Sequence, residues 1–219
     1  MRPTRRSIAL GLAALPVTGS VAGPALAARP AIAPLSAEDR ALVDKAAAYL
    51  QDLTEAKGRF VQTDARGTMT QGAIYLKRPG KARFAYEPPS GLLVVADGAN
   101  VSIADSRLKT FDRYPLMATP LSIFLARQIR LDKGVVVSRV SRLADGFSIT
   151  ARDGKREAEG EITLTFSNDP VALIGWAVTD AQGFSTRIRL ASLEKTSGLA
   201  SSLFVLNDPR PKNPGRAKM

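Results

Sequence analysis

The hydrophobic positions follow two different periods along the chain. After an Ala- and Pro-rich stretch, apolar residues recur at helical spacing from Leu42 to Leu53. Ser36, followed three residues later by Asp39, is typical of a capped helix N-terminus. We therefore predict an amphipathic helix that ends near Gly58 and covers one side of a core.

From Arg59 onward the period changes to two. Apolar and polar residues alternate in several short runs, as expected for half-buried strands. Turn pairs such as Pro79-Gly80 and Asp97-Gly98 separate these runs. The pattern predicts about ten or eleven antiparallel strands in one large sheet, sandwich or barrel. The apolar positions that define the runs are Ile74 and Leu76; Phe84 and Tyr86; Ile162, Leu164 and Phe166; and Ile188 and Leu190.

One short helix interrupts the predicted strands. Thr119 before Pro120 predicts an N-cap followed by proline at the first helical position. Leu121, Phe124 and Leu125 would form the apolar face of this helix. The expected fold is mainly β: a strongly curved antiparallel sheet that closes incompletely, with about two helices covering its concave face. The space between sheet and helices would hold an apolar ligand or a fully packed core.

The N-terminus has the composition of a bacterial export signal. Arg2, Arg5 and Arg6 precede a short apolar run, and Ala25-Leu26-Ala27 fits a cleavage site. We predict that residues 1–27 direct export to the periplasm. The paired arginines are compatible with the twin-arginine route as well as with ordinary secretion.

The remainder is long enough for one domain with its own core. We predict a single domain over residues 28–208 and a basic, Pro-rich, flexible tail over residues 209–219. No segment after the leader approaches the roughly 20 apolar residues that a membrane-spanning helix needs. The mature protein is therefore expected to be soluble. We also expect it to be a monomer.

Composition restricts the chemistry. The chain contains no His and no Cys, which excludes the usual nucleophile pairs and zinc sites, and no carboxylate pair stands out. We expect no enzymatic activity, catalytic residue, metal or cofactor. The net charge is +11, or +8 without the three leader arginines. In an exported protein this charge favours anionic membrane surfaces or an acidic protein partner over nucleic acid. A general basic bias of the surface, without any ligand, is an equal alternative.

Four motifs occur in order along the chain: G-x-I-x-L-K-R-P-G-K-x-R-F-x-Y-x-P-P at 72–89, LVVADG at 93–98, PLMATPLSIFL at 115–125 and WAVTDAQG at 176–183. Together they resemble the periplasmic outer-membrane lipoprotein carrier proteins, the LolA family. The resemblance extends from Ala37 to Asp208 and implies an unclosed barrel with a helical lid over an apolar cavity. It also implies that the protein accepts acylated lipoproteins from an ATP-driven inner-membrane transporter and delivers them to an outer-membrane receptor.

The resemblance implies roles for individual residues. Arg78 would donate hydrogen bonds to lid carbonyls and hold the empty carrier shut, although the residues alone are equally compatible with an exposed cation beside a turn. Phe84 would lie at the cavity mouth. For the apolar residues, ordinary core packing is an equal alternative to ligand contact. The expected cavity and lid residues are Ile74, Leu76, Phe84, Tyr86, Met117, Leu121, Phe124, Leu125 and Trp176.

Two other functions stay open at this point. A regulatory sensor with the same half-barrel would form a stable partner complex without transferring lipoprotein. A carrier of another lipid, such as a glycolipid or a terpenoid lipid, would use the same apolar cavity.

Overall fold

The computed structural model describes residues 34–131, 134–155, 160–180 and 182–208. The predicted export signal and basic tail lie outside the described residues, so their bounds stay predictions. Within the described ranges, no helix has both the length and the apolarity needed to cross a membrane.

Helix α1 spans Ala37–Asp52 and begins where the capping pattern predicts. The Ser36 hydroxyl accepts a hydrogen bond from the Asp39 N–H at 3.0 Å, which satisfies one of the unpaired amides of the first turn. Glu38 and Asp39 place negative charge at this end, where the helix dipole favours it.

The predicted end of this helix near Gly58 is wrong. The helix ends at Asp52, and strand β1 starts at Glu55 because these residues pair with strands on both sides. Gly58 serves a different purpose: a Cβ there would lie 2.0 Å from the Ser192 carbonyl oxygen. The glycine therefore permits the close approach of two strands at a bulge in their pairing.

Eleven antiparallel strands form one sheet, in the order β6-β5-β4-β3-β2-β1-β11-β10-β9-β8-β7. Strands β6 and β7 are its edges, and no pairing joins them within the described residues. The sheet is thus an open half-barrel, which confirms the predicted fold class. The strands are β1 Glu55–Thr63, β2 Met69–Lys77, β3 Lys81–Tyr86, β4 Leu92–Asp97, β5 Asn100–Asp105, β6 Thr110–Pro115, β7 Val135–Leu143, β8 Gly146–Asp153, β9 Glu161–Ser167, β10 Leu173–Thr179 and β11 Ser185–Lys195.

The core lies on the inner face of the half-barrel, as the alternation predicts. In β9, the inward-facing Ile162, Leu164 and Phe166 are fully buried. Each such side chain contributes roughly 1.5–3 kcal/mol through burial of apolar area. Helix α1 packs against this face, and the ring of Tyr49 meets that of Phe166 edge-on at 6.1 Å.

A 3₁₀ turn at Leu116–Ala118 leads from β6 to helix α2, which spans Leu121–Leu125 and also packs on the inner face. The predicted N-cap at Thr119 is wrong by one residue, since Pro120 occupies that position. The Thr119 hydroxyl instead donates to the Leu116 carbonyl at 2.8 Å. This bond closes the preceding 3₁₀ turn, and no side chain of the described residues caps the N-terminus of α2.

The C-terminal segment after β11 crosses the outer face of the sheet. It includes a 3₁₀ turn at Ser201–Phe204, where Phe204 is almost fully buried. Side chains of the strands donate to its backbone, so the segment is fixed to β2, β3 and β6. The bonds run from Lys77 Nζ to Leu199 O at 2.7 Å, from Arg83 Nη1 to Leu203 O at 3.0 Å, and from Arg113 Nη2 to Leu206 O at 3.1 Å.

Candidate lid latch and apolar pocket

Arg78 connects both lid helices to the sheet. It lies in the turn between β2 and β3, where its N–H donates to the Thr54 carbonyl at 2.8 Å. Its Nη1 donates to the carbonyl of Leu50, and lies 3.5 Å from that of Leu53. Its Nε and Nη2 donate to the Ala126 carbonyl at 3.3 and 2.7 Å. One guanidinium therefore bonds the C-terminal ends of α1 and α2 together.

These acceptors explain why the residue is an arginine. The last carbonyls of a helix lack partners within the helix and carry the negative end of its dipole. A guanidinium offers donors in a fixed plane, whereas a lysine ammonium is a single point of charge. Burial lowers the pKa of Arg78 below its ordinary value. Bonds from Arg78 to lid carbonyls are what the family resemblance implies. The function of Arg78 as a latch stays a prediction.

A second set of contacts between α1 and the segment after α2 was not predicted. Gln51 Nε2 donates to the Arg127 carbonyl at 3.3 Å, and Gln51 Oε1 accepts from the Ile129 N–H at 2.9 Å. A separate backbone bond, from the Gly80 N–H to the Leu125 carbonyl at 2.8 Å, joins the turn between β2 and β3 to the end of α2. In the sequence Gln51 is an ordinary polar residue on a helix surface, so no signal distinguishes it.

A row of aromatic rings runs along the inner face beneath the lid. Phe60 lies edge-on to Tyr86 at 5.1 Å and to Phe84 at 5.7 Å. Phe84 then meets Trp176 at 6.0 Å, and Trp176 stacks on Phe124 of α2 at 5.6 Å. Each such pair contributes about 0.5–1.5 kcal/mol beyond burial of its area. The row thus joins the sheet to the short lid helix.

An apolar pocket of about 150 Å³ lies beside this row. Four of the predicted site residues line it, from β3, β10 and α2. Five further lining residues, from β1, β4, β10 and β11, were not predicted because their proximity depends on the strand order. The first group is Phe84, Tyr86, Leu121 and Trp176, and the second is Gln62, Val94, Val178, Thr186 and Ile188.

The other predicted site residues do not line this pocket while the lid is closed. Ile74 and Leu76 are fully buried in the sheet core, and Phe124 and Leu125 of the lid helix α2 are almost fully buried against that core. Met117 is 56% exposed and does not line the pocket. For these residues, contact with a ligand stays a prediction.

Two polar residues face each other in the pocket wall. The Tyr86 hydroxyl donates to Gln62 Oε1 at 2.6 Å. Burial raises the pKa of Tyr86 to about 12, because the phenolate would lose its hydration. The hydroxyl therefore stays a donor at neutral pH.

A protein-family model and several curated proteins match this chain. The model described as "Outer membrane lipoprotein carrier protein LolA" matches residues 51–207. An outer-membrane lipoprotein carrier protein of Methylobacillus flagellatus is 27% identical over 173 residues, covering 74% of this chain and 82% of that protein. The protein of the same name from Chromohalobacter salexigens is 28% identical over 176 residues, covering 76% of this chain and 82% of that protein.

Solved structures also align with it. An uncharacterized conserved protein from Thermus thermophilus has a TM-score of 0.46 and 11% identity, over 78% of this chain and 96% of that one. A LolA superfamily protein from Nitrosomonas europaea has a TM-score of 0.45 and 10% identity, over 77% and 97% of the two chains.

Proposed function

Since this chain belongs to the LolA family of outer membrane lipoprotein carrier proteins, we propose that it carries acylated lipoproteins through the periplasm from the inner to the outer membrane. Exposing an acyl chain to water costs about 0.8 kcal/mol per CH₂ group. A lipoprotein can cross an aqueous compartment only if another apolar surface replaces the bilayer. The observation that carries the proposal is an apolar pocket between a half-barrel and a lid that one arginine holds.

The size of the pocket implies that loading displaces the lid. A volume of about 150 Å³ corresponds to an apolar cavity that takes up a molecule such as benzene. A long acyl chain is far larger than benzene. Cargo therefore binds an open state in which Arg78 releases the lid helices and the aromatic row lines an enlarged cavity.

The partners of the carrier would determine the direction of transport. An ATP-driven transporter in the inner membrane would load the carrier, and an outer-membrane receptor with a more favourable acyl site would unload it. The carrier itself would make and break no covalent bond, and it would need no nucleotide or metal.

Native mass spectrometry on the periplasmic protein tests this function. The protein is co-expressed with an acylated lipoprotein or with the same lipoprotein whose acylated Cys is replaced by Ser. A one-to-one complex that requires the Cys, and that passes its cargo to acceptor membranes, is the expected result. A co-purified free lipid without any lipoprotein complex would contradict the proposal and favour a carrier of another lipid.

A further inference from the structure

The wall of the pocket changes from apolar to polar toward one end of the sheet. Tyr86 is the last residue of β3, Gln62 the second-last of β1 and Thr186 the second of β11. The antiparallel register places these strand ends at the same end of the half-barrel. Phe84 lies one inward-facing position deeper than Tyr86, and Ile188 lies one position deeper than Thr186 and directly opposite Gln62. The polar lining residues Gln62, Tyr86 and Thr186 therefore lie at one end of the pocket, where they form its rim together with the apolar Val178, the partner of Thr186.

Hydrogen-bond donors at this rim have no acceptor in the described part of the chain. Gln62 Oε1 accepts from the Tyr86 hydroxyl at 2.6 Å, which assigns the other end of the amide as its NH₂ group. Among the described residues, neither this NH₂ group nor the Thr186 hydroxyl has a side-chain hydrogen bond. Both residues are half-buried and line the pocket.

The orientation of the Gln62 amide is built into the sheet. Tyr86 pairs with Gly72 of β2, which pairs in turn with Phe60 of β1. A Cβ at Gly72 would lie 2.2 Å from the Ala85 carbonyl oxygen. The ring is held edge-on by Phe60 at 5.1 Å. Tyr86 thus fixes the amide oxygen of Gln62 and leaves its N–H groups for a ligand.

We propose that Gln62 and Thr186 form a rim subsite that donates hydrogen bonds to the carbonyl oxygens joining acyl chains to their headgroup. This inference rests on the proposed function, because acyl chains must occupy the deeper apolar part. An ester or amide carbonyl is the first strong acceptor next to an acyl chain, so chains that point inward bring it to the rim. A hydrocarbon or an alkyl ether offers no such carbonyl.

The test compares two glycerolipids with identical saturated chains, one a diester and the other a diether. Both are delivered together from mixed micelles to the periplasmic protein, and bound species are quantified by native mass spectrometry. One neutral hydrogen bond corresponds to about a 5-fold preference. We expect the wild type to prefer the diester about 5- to 20-fold. The double variant, which combines Gln62→Met and Thr186→Val, should lose this preference without losing diether binding.

Thr179→Val is the matched control, because Thr179 lies on the adjacent strand β10 and does not line the pocket. It should keep the ester preference. Equal binding of the two lipids by the wild type, or an unchanged preference in the double variant, would overturn the rim subsite alone. If neither lipid binds, both the subsite and the proposed acyl-carrier function fail.

Lipoproteins and free phospholipids share the acyl carbonyl, so a second comparison separates these sources. A synthetic diacylated lipopeptide and a phosphatidylglycerol with the same chains are offered to the wild type and to the double variant. A lipopeptide that binds more tightly, and that loses affinity in the double variant, identifies lipoprotein as the source. If phosphatidylglycerol instead binds more tightly and loses affinity in the double variant, this supports the rim subsite but argues against lipoprotein as the cargo. Loss of affinity for neither ligand would overturn the subsite.

Discussion

Replacing Arg78 by Leu should shift the lid toward its open state. The substitution removes two attachments of a charged donor to lid carbonyls, one at Leu50 and one at Ala126. A hydrogen bond to a charged group contributes about 1.5–3 kcal/mol, so losing both at the lower value costs about 3 kcal/mol. The ratio of closed to open protein then falls roughly 100-fold. Arg78→Lys should give a smaller shift, since an ammonium lacks the planar fork.

The single tryptophan provides the assay. Trp176 is 3% exposed and stacks on Phe124 of α2, so displacement of the lid exposes its ring. We expect acrylamide to quench the fluorescence of Arg78→Leu more strongly than that of the wild type, with an emission shift to longer wavelength. Arg83→Leu is the matched control, because Arg83 also donates to a backbone carbonyl but binds the C-terminal segment. Equal quenching in Arg78→Leu and wild type would refute the latch.

Three further substitutions test other parts of the structure. Phe84→Glu, which places a carboxylate in the aromatic row, should lower the free energy of unfolding in urea by at least about 3 kcal/mol and block lipoprotein transfer; normal transfer would contradict it. Gly72→Ala should cost about 1–3 kcal/mol in the same assay, because its Cβ would clash with the Ala85 carbonyl. The Leu199 N–H lowers the pKa of Glu55 from 4.5, so the carboxylate stabilises the fold above that value and the stabilisation is lost as the pH falls through the lowered pKa. Glu55→Gln should therefore reduce the loss of stability in acid, and an unchanged pH profile would argue against this anchor.

Periodicity was sufficient to predict the sheet but not the pocket. The alternation of Ile162, Leu164 and Phe166 with polar residues identifies both a strand and its buried face, because the period of a strand is two. The pocket depends instead on which strands are neighbours. Gln62 and Thr186 are far apart in sequence and come together only because β1 pairs with β11.

Local signals also failed where tertiary contacts were stronger. Gly58 looks like a helix terminus, yet the pairing of β1 with two neighbours draws Glu55–Gly58 into the sheet. Arg78 shows the opposite case. Its residue type and turn allow either an exposed cation or a latch, and only the family resemblance selected the geometry that the structure contains.

The lid is closed by two kinds of contact that respond differently to cargo. The stacking of Phe124 on Trp176 is apolar, so an acyl chain that displaces it supplies an apolar surface in exchange. The bonds from Arg78 to lid carbonyls have no counterpart in an acyl chain. Opening the lid therefore costs mainly the hydrogen bonds that Arg78 donates to the lid carbonyls. When the lid closes again, these bonds form once more, and this favours expulsion of the cargo. It follows that Arg78→Leu should retain lipoprotein more tightly and release it more slowly. A variant with wild-type rates of both loading and transfer would show that the latch does not control release.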